Sequence, residues 1–313
     1  MLFASSARSR DGRFAPSPTG DLHLGNLRTA LLAWLFARSA GAQFVVRMED
    51  LDAERVRTGM AERQVDDLRG LGLDWDGPII RQSERLHLYA EALDHLDAAG
   101  LLYPCFCTRA EIREAVSAPH GSPRPYPGTC RTLSTTERAR REAAGRPALR
   151  LNARDATVAF EDELLGRRSQ EVDDFVVRRG DGAPAYNLAV VIDDAAQGIG
   201  QVVRGADLVD STPRQVLLAR LLQLAPAAYA HVPLVLGPDG GRLAKRHGAV
   251  TLSDRLAQGE SAASVRSWLA ASVGLAEIGE DVDTETLVER FDPEALPAEP
   301  TRLDAEGLLP AAA

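Results

Sequence analysis

Arg13-Phe14-Ala15-Pro16-Ser17-Pro18-Thr19-Gly20-Asp21-Leu22-His23-Leu24-Gly25-Asn26 is the stretch on which the fold turns. A short apolar run is followed by a Pro/Ser/Thr/Gly turn, a lone His, and then a long apolar-periodic segment that opens at Gly25. That order is strand, tight loop, helix start. Free N–H groups and the positive end of the dipole make such a helix start favourable for a phosphate. Gly25 removes a Cβ where a nucleotide would have to lie close to the backbone, and His23 can donate to a phosphate oxygen.

Working outward, Gly12 to Ala15 reads as a strand and Leu24 to Ala40 as a helix with Leu27, Leu31, Trp34 and Leu35 on one face, ended by Gly41. Gln43 to Met48, with its Phe44-Val45-Val46 run, is the next strand. Strand–helix–strand at this spacing is a crossover in a parallel sheet, whose ligand crevice lies beyond the carboxyl ends of the strands. Glu49 and Asp50 end the second strand and face that crevice. Ala53 to Leu71 and Leu86 to Ala99 read as amphipathic helices. From Gly100 the texture changes to a Pro-, Gly- and Arg-rich insert with short strands at 149–151, 157–161 and 174–178. Tyr186 to Asp193 is apolar and fits either a strand or a helix. Val202 to Asp207 ends a strand, Thr212 to Gln223 is a helix with Pro213 in its first turn, and His231 to Leu236 is a last core strand. Short helices follow, Ala262 to Val273 being the clearest, and the last dozen residues look extended.

The 313 residues suffice for two or three packed units. No apolar run reaches the roughly 18 residues a membrane span needs, and Met1 to Arg10 lacks the apolar core of a secretory signal, so a cytoplasmic protein without membrane contact is expected. A net charge of −9 argues against indiscriminate nucleic-acid binding. Residues 101–180 nevertheless hold 14 Arg against 11 Asp and Glu, a basic island on an acidic chain that suits a local RNA or phosphate contact.

Of the 36 basic residues only one, Lys245, is a lysine. It stands in the glycine-rich loop from Gly237 to Gly248, and a single retained ammonium points to a site that needs a compact, rotatable cation. All three Cys lie within 105–130, a clustering that suggests a metal in a reducing compartment. Cys105-x-Cys107 and Tyr126-x-x-x-Cys130 can close a tetrahedral site from three thiolates and a phenolate, with His120 as a rival for the fourth position. With no open position, such a site is structural. It would staple residues 118–130, which have no hydrophobic periodicity.

These motifs resemble those of class I aminoacyl-tRNA synthetases of the glutamyl branch. Pro16 to Asn26 resembles the HIGH element, and Arg242-Leu243-Ala244-Lys245-Arg246 the KMSKS element. Arg13 to Gly20 resembles the glutamyl-enzyme signature. The similarity extends through Arg47-Met48-Glu49-Asp50, Asp76-Gly77-Pro78, Gln82-Ser83, Tyr186-Asn187-Leu188-Ala189 and Val203 to Leu208.

The resemblance implies an α/β fold: a Rossmann-type parallel-sheet nucleotide-binding domain with an inserted zinc-containing α+β subdomain and a short helical C-terminal region. The boundaries expected are 1–100 and 186–250 for the two catalytic halves, 101–185 for the insert and 251–313 for the stem-contact-like end. It implies that Arg13, Phe14, Ala15, Pro16, Ser17, Glu49, Tyr186 and Arg204 hold glutamate. It also implies that His23, Gly25, Asn26 and Lys245 contact ATP with Mg²⁺ assisting, His23 and Lys245 being catalytic. One structural Zn²⁺ would sit on Cys105, Cys107, Tyr126 and Cys130, the family pattern favouring Tyr126.

Guanidinium forks suit the carboxylates of an acidic amino acid and Glu49 its ammonium. Asn26 and Ala244 depart from the family pattern and would each remove a phosphate contact. Only about sixty residues follow the Lys245 loop, fewer than an anticodon-binding region needs. Such a truncation marks the glutamyl-queuosine tRNA(Asp) synthetase family, which forms glutamyl-adenylate without tRNA and esterifies the wobble queuosine, meeting the anticodon arm. A monomer is expected. The competing expectations are an ordinary glutamyl-tRNA synthetase on a short chain and a non-catalytic RNA-binding paralogue.

Overall fold

A computed structural model describes residues 9–108, 111, 126–143, 145–243, 247–248 and 250–303. Strand β1 (Gly12–Phe14), helix α1 (Leu24–Ser39) and strand β2 (Phe44–Met48) form the expected crossover. The two strands run parallel, with Arg13 opposite Val45 and Phe14 opposite Val46, and β3 (Ile80–Arg81) continues the parallel set beside β2. The apolar stripe of α1 is wider than its Leu27-Leu31-Trp34-Leu35 face. Eleven of its sixteen residues are buried, as befits a helix covered on both sides. The second cover comes from the C-terminal helices, where Phe36 meets Phe291 edge-on at 5.0 Å.

Two readings need correction. The helix expected from Ala53 begins only at Met60: α2 is Met60–Gly70, entered through Gly59 at φ +74°. The charged residues before it lie in turns, because 53–59 offers no apolar stripe to bury. The single strand expected over His231–Leu236 is two, β10 (Ala228–Val232) and β11 (Val235–Leu236), separated at Pro233, which has no N–H to give a ladder. Helix α3 (Leu86–Ala98) ends the first half.

The insert contributes to two sheets. Strands β4 (Leu102–Cys105), β5 (Ala148–Leu151) and β8 (Phe175–Arg178) form an antiparallel sheet of their own, with helix α4 (Thr135–Glu142) nearby in sequence. Between β5 and β8, the hairpin β6 (Thr157–Asp162) and β7 (Gly166–Glu171) pairs elsewhere. Strand β6 runs parallel to β10 at Tyr229–Asp162, and β10 runs parallel to β9 (Gln201–Gly205).

Helix α5 (Tyr186–Ala196) resolves the ambiguous apolar segment as a helix, and α6 is Thr212–Leu221. Strand β9 enters beside β1: Asp11 O accepts from the N–H groups of Gly200 and Gln201, both at 3.1 Å. The approach is so close that a Cβ on Gly200 would fall 1.9 Å from Ser9 O. The carboxyl ends of β1, β2 and β9 therefore share one crevice.

The C-terminal part, α7 (Leu252–Ala257), α8 (Ala262–Ala271), α9 (Thr284–Arg290) and β12 (Thr301–Arg302), closes over α1. Arg28 fastens it. Only 1% exposed, it donates to Pro233 O and Thr301 Oγ1, both at 2.6 Å, while burial pushes its pKa down to about 10. Strand β12 pairs with β11. No described helix is long and apolar enough to cross a membrane.

Replacing Arg28 by Met keeps the aliphatic stem and leaves Pro233 O and Thr301 Oγ1 without that donor. Stability in urea unfolding should fall by about 1–3 kcal/mol, with faster amide exchange at Thr301 and Leu303, whose N–H groups donate to Leu234 O and Leu236 O.

Candidate active site and cysteine cluster

The helix start is built by a reciprocal cap. His23 is the N-cap of α1, and its Nδ1 accepts from Asn26 N at 3.2 Å while Asn26 Oδ1 accepts from His23 N at 3.3 Å. Because Nδ1 spends its lone pair on a backbone N–H, the neutral ring carries its proton on Nε2. Burial lowers the His23 pKa, which favours that neutral form. Gly25 suits the same arrangement, since a Cβ there would lie 3.0 Å from His23 Nδ1 and 3.1 Å from Cε1 and the ring would have to give way by a few tenths of an ångström. Asn26 therefore sets the imidazole in place, a role its departure from the family pattern did not suggest.

The cavity beyond this turn has a volume of about 470 Å³. Arg13, Phe14, Ala15, Pro16, Ser17, Glu49, Tyr186 and Arg204 line it, and so do His23, Gly25 and Asn26. Under the first group lies a buried charge network. Arg13 Nε and Arg47 Nη1 both donate to Asp194 Oδ1, at 3.3 and 2.8 Å, and Arg47 Nη2 reaches Glu49 Oε1 at 3.4 Å. The adjacent Asp193 accepts from Gln82 Nε2, Tyr89 OH and Arg85 Nε at 2.7–2.8 Å.

Burial opposes ionisation of Asp194, but Arg47 and Arg13 outweigh it and hold its pKa below the usual value. For Glu49 the balance is opposite: burial raises its pKa, and Arg47 and Arg13 offset only part. A cation arriving at Glu49 would therefore complete the pairing. Arg47, Asp193 and Asp194 were not singled out as site residues in the sequence. The available signal was an Arg within the buried run Phe44–Met48 and two Asp closing an apolar helix, since charges on buried faces must be paired.

Lys245 and Ala244 lie outside the described residues. The chain on either side of them is fixed beside the His23 turn. Arg242 and Leu243 line the cavity, Arg242 Nη2 pairs with Asp207 Oδ2 at 2.9 Å, and Leu24 N donates to Val250 O at 2.7 Å. His23 itself bridges to Thr251.

The three sulfurs of Cys105, Cys107 and Cys130 lie within 4.8 Å of one another. Tyr126 OH stands 3.5 Å from the sulfurs of both Cys105 and Cys107, and Cys107 Sγ is 3.4 Å from Cys130 Sγ. His120 lies outside the described residues. Ligand atoms around a zinc ion at about 2.0–2.3 Å are spaced on this scale. Arg150, 6% exposed, donates from Nε to Cys105 Sγ at 3.2 Å and stacks over the Tyr126 ring at 3.7 Å. A buried guanidinium there would offset the charge of thiolates holding a metal, and nothing in the local sequence marks Arg150 for that place. Cys105 and Cys107 also line a second cavity of about 590 Å³, which shares Ser17, Glu49 and Tyr186 with the first.

Gly25→Ala should push the His23 ring off its cap. Stability should drop by about 0.5–2 kcal/mol, the usual cost of losing an N-cap. An NMR titration should show the His23 pKa rising toward its ordinary value as the ring leaves its buried setting.

Comparison with known proteins agrees with the geometry. The family described as tRNA synthetases class I (E and Q), catalytic domain, matches residues 11–305. The chain is 58% identical to the glutamyl-Q tRNA(Asp) synthetase of Nocardia farcinica, over 95% of this chain and 94% of that protein. It is 52% identical to the protein of the same name from Symbiobacterium thermophilum, over 94% and 96%. A crystal structure of a glutamate tRNA ligase from Elizabethkingia meningosepticum, in complex with its amino acid, superposes with a TM-score of 0.82 at 27% identity, covering 96% of this chain and 68% of that one. With its crevice at the ends of parallel strands and its His23 turn, the chain belongs to the class I tRNA synthetases (E and Q), within the group of glutamyl-Q tRNA(Asp) synthetases.

Proposed function

We propose that this enzyme activates L-glutamate with ATP to glutamyl-adenylate without tRNA and then transfers the glutamate to queuosine at the wobble position of tRNA(Asp). The observation that carries the reading is the first cavity, which is lined by guanidinium groups, by Glu49 and by the capped His23 together. The identity to the Nocardia and Symbiobacterium proteins supports the same acceptor.

In this reading Arg13, Tyr186 and Arg204 receive the carboxylates of glutamate, Glu49 its ammonium, and Phe14 to Ser17 shape the pocket. An oxygen of the glutamate α-carboxylate attacks the α-phosphorus of ATP, and the bond to the bridging oxygen breaks, releasing pyrophosphate. His23 donates its Nε2–H to phosphate, Gly25 and Asn26 hold that ring, and Lys245 supplies the mobile cation, with Mg²⁺ on the phosphates. Donors set in advance where charge builds are worth about 10²–10³ in rate each. A hydroxyl of the queuosine cyclopentene diol then attacks the acyl carbon and AMP leaves. The second cavity, open to the same Glu49 and Tyr186, suits the incoming nucleotide. The basic surface of residues 101–180 suits the anticodon arm. We read the enzyme as a cytoplasmic monomer.

Glutamate-dependent ATP–pyrophosphate exchange tests the first step. Exchange should proceed without tRNA, and His23→Ala should cut kcat about 10²–10³-fold. Labelled glutamate should then pass to queuosine-containing tRNA(Asp) and not to tRNA(Glu). Exchange that requires tRNA, or charging of tRNA(Glu), overturns the reading in favour of an ordinary synthetase.

The cysteine cluster is read as a structural zinc centre on Cys105, Cys107, Tyr126 and Cys130, holding the insert. Elemental analysis should find one zinc per chain. Cys107→Ser should lose it and lower the melting temperature, with pyrophosphate exchange persisting at temperatures where the insert remains folded.

A further inference from the structure

Arg204 is held from behind. It is 5% exposed and lines the first cavity. Its Nη1 donates to Gln215 Oε1 at 2.8 Å, its Nη2 to Thr212 Oγ1 at 2.7 Å and Leu208 O at 3.4 Å, and its Nε to His231 Nε2 at 3.0 Å. Four of the five N–H groups of the guanidinium are thus engaged by described residues, and one on Nη1 remains for a ligand.

The contact to His231 dictates a tautomer. Arg Nε is a donor only, so His231 Nε2 must accept, and the ring proton must sit on Nδ1. There it meets Asp162 Oδ2 at 2.5 Å, in a pair whose side chains are both 0% exposed. The other oxygen, Oδ1, is occupied by the backbone N–H groups of Leu164, Leu165 and His231. Burial lowers the imidazole pKa, in keeping with a neutral ring. The strand registers produce the line-up: His231 stands opposite Arg204 on β9, and β6 brings Asp162 alongside β10.

We propose that Asp162 and His231 are positioning residues for the amino-acid substrate: the carboxylate fixes the imidazole tautomer, and the imidazole fixes Arg204 in the orientation that accepts a substrate carboxylate. Discrimination for an acidic amino acid therefore depends on a residue of the 157–171 hairpin that never touches the ligand. The proposal rests on the reading of Arg204 as a glutamate contact.

The sharpest variant is Asp162→Asn. The three backbone N–H groups claim the amide oxygen, so the NH₂ faces His231 Nδ1 and turns it into an acceptor. The ring proton then moves to Nε2, where it opposes the N–H of Arg204 Nε. In pyrophosphate exchange, KM for glutamate should rise at least ~10-fold, about 1.4 kcal/mol, while KM for ATP stays within twofold. The ¹⁵N signals of His231 should report Nδ1–H in the parent and Nε2–H in the variant.

A second pair guards against misfolding. His231→Gln, whose amide oxygen can accept from Arg204, should retain most of the glutamate affinity, and His231→Leu should lose it. Arg204→Ala separates the two layers of the argument. If it leaves KM for glutamate unchanged, the reading of Arg204 falls and the proposal with it. If it raises KM but Asp162→Asn does not, or if the parent ring carries its proton on Nε2, the positioning pair alone is overturned. Equal rises in KM for glutamate and ATP in Asp162→Asn indicate a general structural role and also overturn it.

Discussion

The whole site stands on the buried contact between Arg47 and Asp194. A guanidinium with no exposed surface has been placed in the middle strand of a parallel sheet, and a carboxylate from α5 comes down to meet it at 2.8 Å. Charges removed from water are tolerated only when paired and hydrogen-bonded. Around this contact the described residues supply three guanidiniums, Arg13, Arg47 and Arg85, and three carboxylates, Glu49, Asp193 and Asp194. The set closes on itself beneath the cavity floor. It fixes β1, β2 and α5 relative to one another, and it leaves Glu49 as the under-neutralised member, its pKa raised by burial. In the proposed reading, that imbalance is what an incoming ammonium would meet.

The His23 turn follows a different logic. There a single helix start positions the imidazole through local bonds among His23, Gly25 and Asn26, and the chain at Val250 and Thr251 ties the turn down from outside. Buried charge pairing thus holds one set of lining residues, and a capping box holds His23. They meet because β1 feeds directly into the turn that ends in His23.

Much of this is legible in the sequence. The Phe44-Val45-Val46 run, the Leu27–Leu35 periodicity and Gly41 were enough for the first crossover, since buried parallel strands and covered helices write themselves as apolar runs. The clustered Cys pointed to the close grouping of three sulfurs. What stayed hidden was hidden for physical reasons. Arg47, Asp193 and His231 look like interruptions of apolar segments, and their partners are more than a hundred residues away or, for His231, on strands that adjoin only in the folded sheet. Tyr186–Asp193 could not be assigned because a short apolar run carries no periodicity that separates strand from helix. The turns over 53–59 resembled helix because charged residues there have high helical propensity and no apolar stripe to contradict it.

Strand β6 has a consequence for biosynthesis. Its parallel partner β10 lies on the far side of two helices and two further strands, so the ribosome delivers the β6–β7 hairpin well before the strand on which it will dock. Non-local pairing of this kind closes late, and during the wait an open strand edge is available to any neighbouring chain. The outer strand β7, Gly166-Arg167-Arg168-Ser169-Gln170-Glu171, is exposed along its whole length and charged. An Arg-bearing rim of that kind repels a second copy of itself. The nascent hairpin is shielded on one side by electrostatics until the core sheet arrives to cover the other.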